Sequence, residues 1–456
     1  MKRLLPAAVV LGLGALVLAL IAPESPGGVA IGAAKCSRGT VKAVISGRTA
    51  CLSAGKKCTR KADAQYMPYG FHCRNGRLSK RNPVITSAGP DQIVYDAGQD
   101  QCAAGDWPDG GVRAFRDASG QVQVIMPSIY GNRRLIGPDL NHLTHDCTVT
   151  LDSNQNPDPA AYDNGQWLAS VYSPDGQTVY GLTHMEYIGA FFPGMCPVDI
   201  HSPDALRCWW NTVTLVVSTD AGHSYHRAPK RNGLVGALPF RYDPSGIGFE
   251  GMGLNGLTQI VRNPDDGYYY TISGDAIAPQ AGVQGTGYNC LMRTKNLADP
   301  TSWRGWDGRG FTRTFVDPYR ESTNPPSAHV CKPINITNHS NNLSLSWNTT
   351  LRRWLVVYQN PGGGYWFTTS PDLTSWGRPQ KFLDRPNPWG VKCGDPTAES
   401  GTSLIDPAST SRNFTTTGQR PYFYTTVYTL SWPTCGTRQF ANVSLARIPL
   451  RVRYSK

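Results

Sequence analysis

Charged residues are scarce in this chain: Asp, Glu, Lys and Arg make up 17% of its 456 residues. Long apolar runs are scarcer. One stretch, residues 4 to 21, nears the length that crosses a bilayer and no second follows, which excludes a multi-span membrane protein. There is no G-x-S-x-G, no H-E-x-x-H, no Walker loop and no G-x-G-x-x-G ahead of a helix. Serine-hydrolase elbows, zincin sites and nucleotide-binding loops are thereby excluded, and the Cys spacings match no zinc pattern. What is plentiful is Gly (48), Pro (35), Tyr (21) and Trp (12). A coiled coil or helical repeat would be far poorer in Gly and Pro. A disordered chain would not carry 10% aromatics. The composition predicts a turn-rich, all-β globular protein with a substantial core.

The chain starts Met1-Lys2-Arg3, continues through the apolar stretch, and breaks at Pro23, Glu24 and Pro26; Ala30, Ala33 and Ala34 offer a cleavage site. This pattern predicts a secretory signal over residues 1–34, with an uncleaved single-span anchor as the alternative. The expectation is a secreted or cell-envelope protein with no stable membrane insertion after cleavage. Twelve Cys in an exported chain are expected to form disulfides. Four of them, Cys36, Cys51, Cys58 and Cys73, fall in a basic segment, residues 35–78, too small to hold a core without staples. Cys196 and Cys208 bracket one short loop and form the clearest single pair. The net charge of +12 suits an anionic polysaccharide or cell surface, not nucleic acid.

Residues 79–98 read as a linker, and residues 99–456 carry a repeat. Ser218-Thr219-Asp220-Ala221-Gly222-His223-Ser224-Tyr225 fits S-x-D-x-G-x-S/T-aromatic. Thr294-Lys295-Asn296-Leu297 is a looser version, and Ser370-Pro371-Asp372-Leu373-Thr374-Ser375-Trp376 is another. Positions 218, 294 and 370 are evenly spaced by 76 residues, a period that means a repeated supersecondary unit. Five hairpins flank polar or Pro-Asp-Gly turns: 112–116 with 122–127, 167–172 with 179–183, 257–261 with 268–272, 343–347 with 354–358, and 402–405 with 422–428. Residues 443–454 read as closing outer strands. Five four-stranded units arranged radially make a five-bladed β-propeller, preceded here by a disulfide-stapled module.

The Ser370-to-Trp376 turn resembles that of five-bladed glycosidase propellers, the arabinanase, xylosidase and invertase group. The Ser218-to-Tyr225 stretch resembles the Asp box of sialidase propellers. The front segment resembles a small module of exported bacterial proteins, whose basic face would bind anionic wall polymer or merely act as a solvated spacer. In both propeller groups the turns are structural, which implies structural roles for Asp220, Asp372, Tyr225 and Trp376. The glycosidase resemblance also implies an Asp at the start of blade one as base or nucleophile, the position of Asp109. It implies a later Glu acid in an E-G pair, matched by Glu250-Gly251. The group's third carboxylate has no clear counterpart, although Asp163 stands near its place.

Glycoside hydrolysis needs one carboxyl held protonated and one carboxylate acting on water or the sugar carbon. Besides Asp109 and Glu250, Glu186 is an acid candidate, because its neighbours His184 and Tyr187 suggest a desolvated site that raises its pKa. The bland alternatives are a turn cap at Asp109, a solvated loop at Glu250 and a salt bridge at Glu186. Arg113 and Arg116 are candidates for binding a substrate anion, or for pairing with a neighbouring Asp. His184, Tyr187, Asn341 and Glu399 are further candidates for holding the sugar. No cofactor is expected; a channel cation such as Ca2+ on His184 or His339 is the alternative to ordinary hydrogen-bonded histidines. Trp107, Trp167, Trp209, Trp210, Phe191, Phe192 and Trp366 would stack on sugar rings or fill the core, and the 191–210 loop is the expected groove rim. The reading is a secreted, monomeric carbohydrate-active enzyme, a glycoside hydrolase acting on polysaccharide or surface glycan. Its rivals are a non-catalytic glycan-binding propeller and a polysaccharide lyase using His184, Tyr187 and the two arginines.

Overall fold

Short acidic turns set the strand pattern. Asp117 Oδ1 accepts the N–H groups of Ser119 and Gln121 at 2.9 and 3.0 Å, closing the turn between Arg113–Arg116 and Val122–Met126. Asp175 Oδ1 accepts from Gln177 and Thr178 at 2.9 and 2.7 Å, and Asp266 Oδ1 from Tyr268 at 3.0 Å. Each carboxylate satisfies amides that the turn leaves out of the sheet ladder.

A computed structural model describes residues 36–202, 205–244, 252–278, 283–336, 342–435 and 437–455. Its strands form five antiparallel meanders. Meander I is Arg113–Arg116, Val122–Met126, Asn132–Gly137 and Thr144–Leu151. Meander II is Gly165–Tyr172, Val179–Ile188 and Trp209–Ser218, edged by His226–Arg227 and Leu234–Gly236. Meander III is Val261–Arg262, Tyr269–Ala278, Val283–Thr294, Arg304–Gly305 and Arg313–Thr314. Met252–Gly253 pairs with both II and III and joins them into one sheet. Meander IV is Leu343–Asn348, Arg353–Gln359, Tyr365–Ser370 and Gln380–Leu383. Meander V is Thr397–Ile405, Tyr422–Thr434 and Thr437–Tyr454.

The outer edge of meander V comes from the front of the chain. Pro83–Ser87 and Gln92–Asp96 both pair with Thr437–Tyr454. The stretch expected to be a linker over 79–98 therefore forms strands. The physical reason is the long last strand, whose unpaired N–H and C=O groups need a partner.

The apolar clusters lie between meanders and run in a cycle. Phe115 and Ile125 of I pack with Leu168, Val171 and Val216 of II. Leu182 and Leu215 of II pack with Tyr288 and Met292 of III. Tyr270 and Leu291 of III pack with Leu345 and Val356 of IV. Val357 and Phe367 of IV pack with Phe423 and Ile448 of V. Val124 and Leu135 of I pack with Tyr424 and Leu445 of V, closing the cycle.

The front segment folds as two hairpins, Val41–Ile45 with Arg48–Leu52 and Phe71–Arg74 with Arg77–Lys80, around Val41, Leu52, Tyr66, Phe71 and Leu78. Cys36–Cys51 and Cys58–Cys73 staple it. It docks on meander IV, where Asp372 Oδ2 accepts the Gly39 N–H at 2.8 Å and Arg38 donates to Thr374 O at 3.1 Å. Four further disulfides join Cys102–Cys147, Cys196–Cys208, Cys290–Cys331 and Cys393–Cys435. No helix among the described residues is long and apolar enough to cross a membrane.

Candidate active site

The first strands of meanders I, II, IV and V and the segment that enters meander III converge on one buried side chain. Arg113, 4% exposed, donates from Nε to Ala169 O of meander II at 3.0 Å. Its Nη1 donates to Val112 O, Thr402 O and Ser403 Oγ at 3.0, 3.1 and 2.9 Å. Its Nη2 donates to Leu257 O and Leu343 O at 2.8 and 3.0 Å. All five N–H groups of the guanidinium are engaged. Expected to hold a substrate anion, Arg113 has no donor left for one.

Above Arg113 lies a cavity of about 230 Å3, lined by strand residues of meanders I, II and V and by the loops around meanders III and IV. Asp109, Trp167, His184, Glu186, Trp209 and Trp389 are the side chains that give it chemistry. Asp109 enters just before meander I. Gly111 lets the chain pass, because a Cβ there would collide with Thr402 O. The Asp109 carboxylate caps no turn: Oδ1 accepts the Tyr428 hydroxyl at 2.8 Å. Its exposed surface faces the cavity, while protein encloses it more widely. Burial pushes its pKa up to about 6, the Tyr428 hydrogen bond opposing.

Glu186 and His184 lie on one strand of meander II, two residues apart and so on the same face. Glu186 is pushed up to about 8 by burial and then by the Asp109 charge. The Trp167 indole N–H lies close enough to temper that rise but outside hydrogen-bond geometry. Burial pushes His184 down to about 4 against its bond to Asn211, so the ring is neutral at pH 7. Nε2 is 2.8 Å from Asn211 Oδ1, which fixes the proton there. The 3.5 Å approach of His184 to Glu186 joins two neutral groups at that pH.

The structure thus brings Asp109, Glu186, His184 and the Arg113 floor together, and disperses the other candidates. Arg116 lies over the Phe414 ring at 4.1 Å and donates to Ser411 O at 2.9 Å. Tyr187 is buried in the core and donates to Pro157 O at 2.8 Å. Glu399, 2% exposed, is not in the cavity lining; its Oε1 is 3.6 Å from Arg385 Nη1. Burial raises it to about 7, with Arg385 opposing and Asp91 adding. Asp163 pairs with Arg227 and borders a different cavity. Glu250, His339 and Asn341 lie outside the described residues.

Of the loop expected as a groove rim, Trp209 reaches the cavity; Phe192 stacks on Tyr187, 5.6 Å between rings. The indole Nε1 atoms of Trp167 and Trp209 are buried without a hydrogen-bond partner among the described residues, so both can donate to a ligand. The residue that sequence reasoning missed is Trp389, 71% exposed at the cavity wall. It sits in an Asn387-Pro388-Trp389-Gly390 turn, where Asn387 Oδ1 accepts the N–H groups of Trp389 and Gly390 at 3.0 and 2.6 Å. Asn387 in turn donates to Asn360 O and Pro361 O at 3.1 and 2.6 Å. The Asn-Pro-x-Gly turn was the available signal; its height above the hub was not readable.

No family model matches the chain, and no curated protein matches it. Among solved structures it is similar to a family 117 glycoside hydrolase from the marine bacterium Zobellia galactanivorans, at 9% identity, covering 80% of this chain and 90% of that one, with a TM-score of 0.45. It is also similar to a thermostable family-43 glycoside hydrolase (9% identity, 77% and 95% covered, TM-score 0.36). An N-acetylgalactosamine deacetylase from F. plautii, in complex with blood group B trisaccharide, is similar at 10% identity, 81% and 95% covered, TM-score 0.38.

Proposed function

We propose that this chain is an exported glycoside hydrolase built as a five-bladed β-propeller, with Asp109 as base or nucleophile and Glu186 as general acid. The observation that carries it is two raised carboxyls from different meanders in one cavity, electrostatically coupled, with unlike protonation at neutral pH. At pH 7 Glu186 holds its proton and Asp109 is mostly ionised. That is the division of labour that glycosidic cleavage requires: a proton for the leaving oxygen and a negative charge beside the sugar carbon.

The surroundings suit a sugar. Trp389 offers an exposed ring face held by a braced turn, and Trp167 and Trp209 offer unpartnered N–H donors to hydroxyl groups. A lyase needs a cation to neutralise a uronate. The cavity's guanidinium, Arg113, is fully engaged by carbonyl and hydroxyl oxygens, and His184 is neutral, which favours hydrolysis. Six disulfides among the described residues support export.

The test is turnover on arabinan, pectin, sialoglycan and cell-wall preparations by wild type, Asp109→Asn and Glu186→Gln. Each variant is expected to fold and to lose about 10²–10⁴-fold in kcat on the substrate that wild type cleaves. Folded variants with full activity would overturn the assignment.

A further inference from the structure

The positive charge of the chain is not spread over it. Residues 36–81 hold eleven Lys and Arg and a single acidic residue, Asp63, whereas residues 82–456 hold thirty of each sign. Nearly the whole net charge therefore sits on the small stapled module, and the body it docks on is neutral.

The docking creates a groove. A cavity of about 290 Å3 lies between the Phe71–Arg74 and Arg77–Lys80 hairpin and the outer strands of meander IV. Lys80, Arg81, Arg353 and Arg378 line it with Phe71 and Trp376, and no acidic residue among the described ones lines it. It shares no lining residue with the cavity holding Asp109 and Glu186. The carboxylate of Asp372, in the turn between the lining residues Pro371 and Ser375, is engaged by amides, accepting from Gly39, Thr374 and Ser375 at 2.8, 3.0 and 2.7 Å.

Two of the four cations are tethered. Arg81 donates from Nε and Nη2 to Ser455 O at 3.0 and 2.5 Å, and Arg353 donates from Nε to Tyr454 Oη at 3.2 Å. The side chains of the other two, Lys80 and Arg378, are exposed and have no ion pair or hydrogen bond among the described residues. Like charges facing one another across a groove repel, and a bound anion relieves that repulsion more fully than solvent and salt do. A cleft with four cations, the partly exposed Trp376 ring and no carboxylate among its described lining residues is complementary to a repeating anion that also presents flat sugar faces. Disulfide-forming compartments lie away from nucleic acid.

We infer that this groove binds an acidic polysaccharide, whose charged unit is a carboxylate or a phosphodiester, and that it tethers the enzyme to such a polymer apart from the catalytic cavity. Binding is read without turnover, so the outcome does not depend on the proposed hydrolysis.

The experiment is affinity electrophoresis of the full chain in gels containing polygalacturonate, a teichoic acid, neutral arabinan or duplex DNA. Polygalacturonate assays the carboxylate source and teichoic acid the phosphodiester source. Retardation by at least one of these two is expected, stronger than by arabinan or DNA. The double variant Lys80→Ala/Arg378→Ala is expected to bind roughly tenfold more weakly, with its disulfides and melting curve unchanged. Arg48→Ala/Lys61→Ala removes the same charge from exposed positions outside the groove, and its binding is expected to stay within about twofold. No retardation by either polyanion, equal weakening by both double variants, or stronger retention on DNA would each overturn the groove.

Discussion

At the scale of single residues, environment decides which carboxyls matter. Asp220 and Glu186 follow opposite paths. Burial pushes Asp220 up, but hydrogen bonds from Ser218 and Ser224 outweigh it and bring it to about 2, the mark of a turn-holding carboxylate. Glu186 has burial and the Asp109 charge acting in the same direction. The reaction rate should follow from that contrast. Below about pH 6 Asp109 takes up a proton and stops acting as base. Above about pH 8 Glu186 loses its proton and stops acting as acid. The expected profile of kcat/KM against pH is a bell with its plateau between those limbs, and a rate that keeps rising beyond pH 9 would contradict it.

At the scale of elements, the turn that looks most decorative has a load to bear. Asp372 accepts two N–H groups of its own turn and one from the stapled module. In Asp372→Ala the module loses that anchor and the turn loses its cap, a cost on the order of 1–3 kcal/mol. Limited proteolysis should then cut near residues 36–82 faster than in wild type, while turnover persists; unchanged protection would show that apolar packing alone holds the module.

Four of the five hairpins are legible because polar turns and alternating β-branched or aromatic residues are local signals, whereas of the strand expected over 257–261 only Val261 lies in the ladder, within Val261–Arg262. Residues 422–428, for example, were read as a strand and lie within Tyr422–Thr434. The strands at Pro83–Ser87 and Gln92–Asp96 were not, since their partner lies some 350 residues away in Thr437–Tyr454 and no local signal announces it. The catalytic candidates were half legible for the same reason. Asp109 and Glu186 stand out by position and neighbours, but the direction a side chain takes depends on strand register. Glu399 and Ser400 are adjacent and face opposite ways, and Ser400 lines the cavity while Glu399 is not in its lining. Arg113 has the residue type of an anion ligand, and nothing in its own strand shows that carbonyl oxygens of meanders II, IV and V and of the segments entering I and III meet around it.

At the scale of the whole molecule, the site depends on the cyclic packing of the meanders. Each buries apolar side chains against the next, and the fifth against the first. Four of their first strands and the segment that enters meander III meet at the Arg113 guanidinium, and that convergence is what brings Asp109, from the entry to meander I, beside Glu186, from the second strand of meander II. No local interaction in the chain would place those two carboxyls together. The most direct measurement is therefore the titration of Glu186 itself, by carboxyl-resolved NMR in wild type and in Asp109→Asn, with Glu186→Gln assigning the signal. The account predicts a carboxyl titrating near 8 in wild type and at lower pH once the Asp109 charge is gone. A Glu186 titrating near the ordinary value of about 4.3, and unmoved by Asp109→Asn, would contradict it.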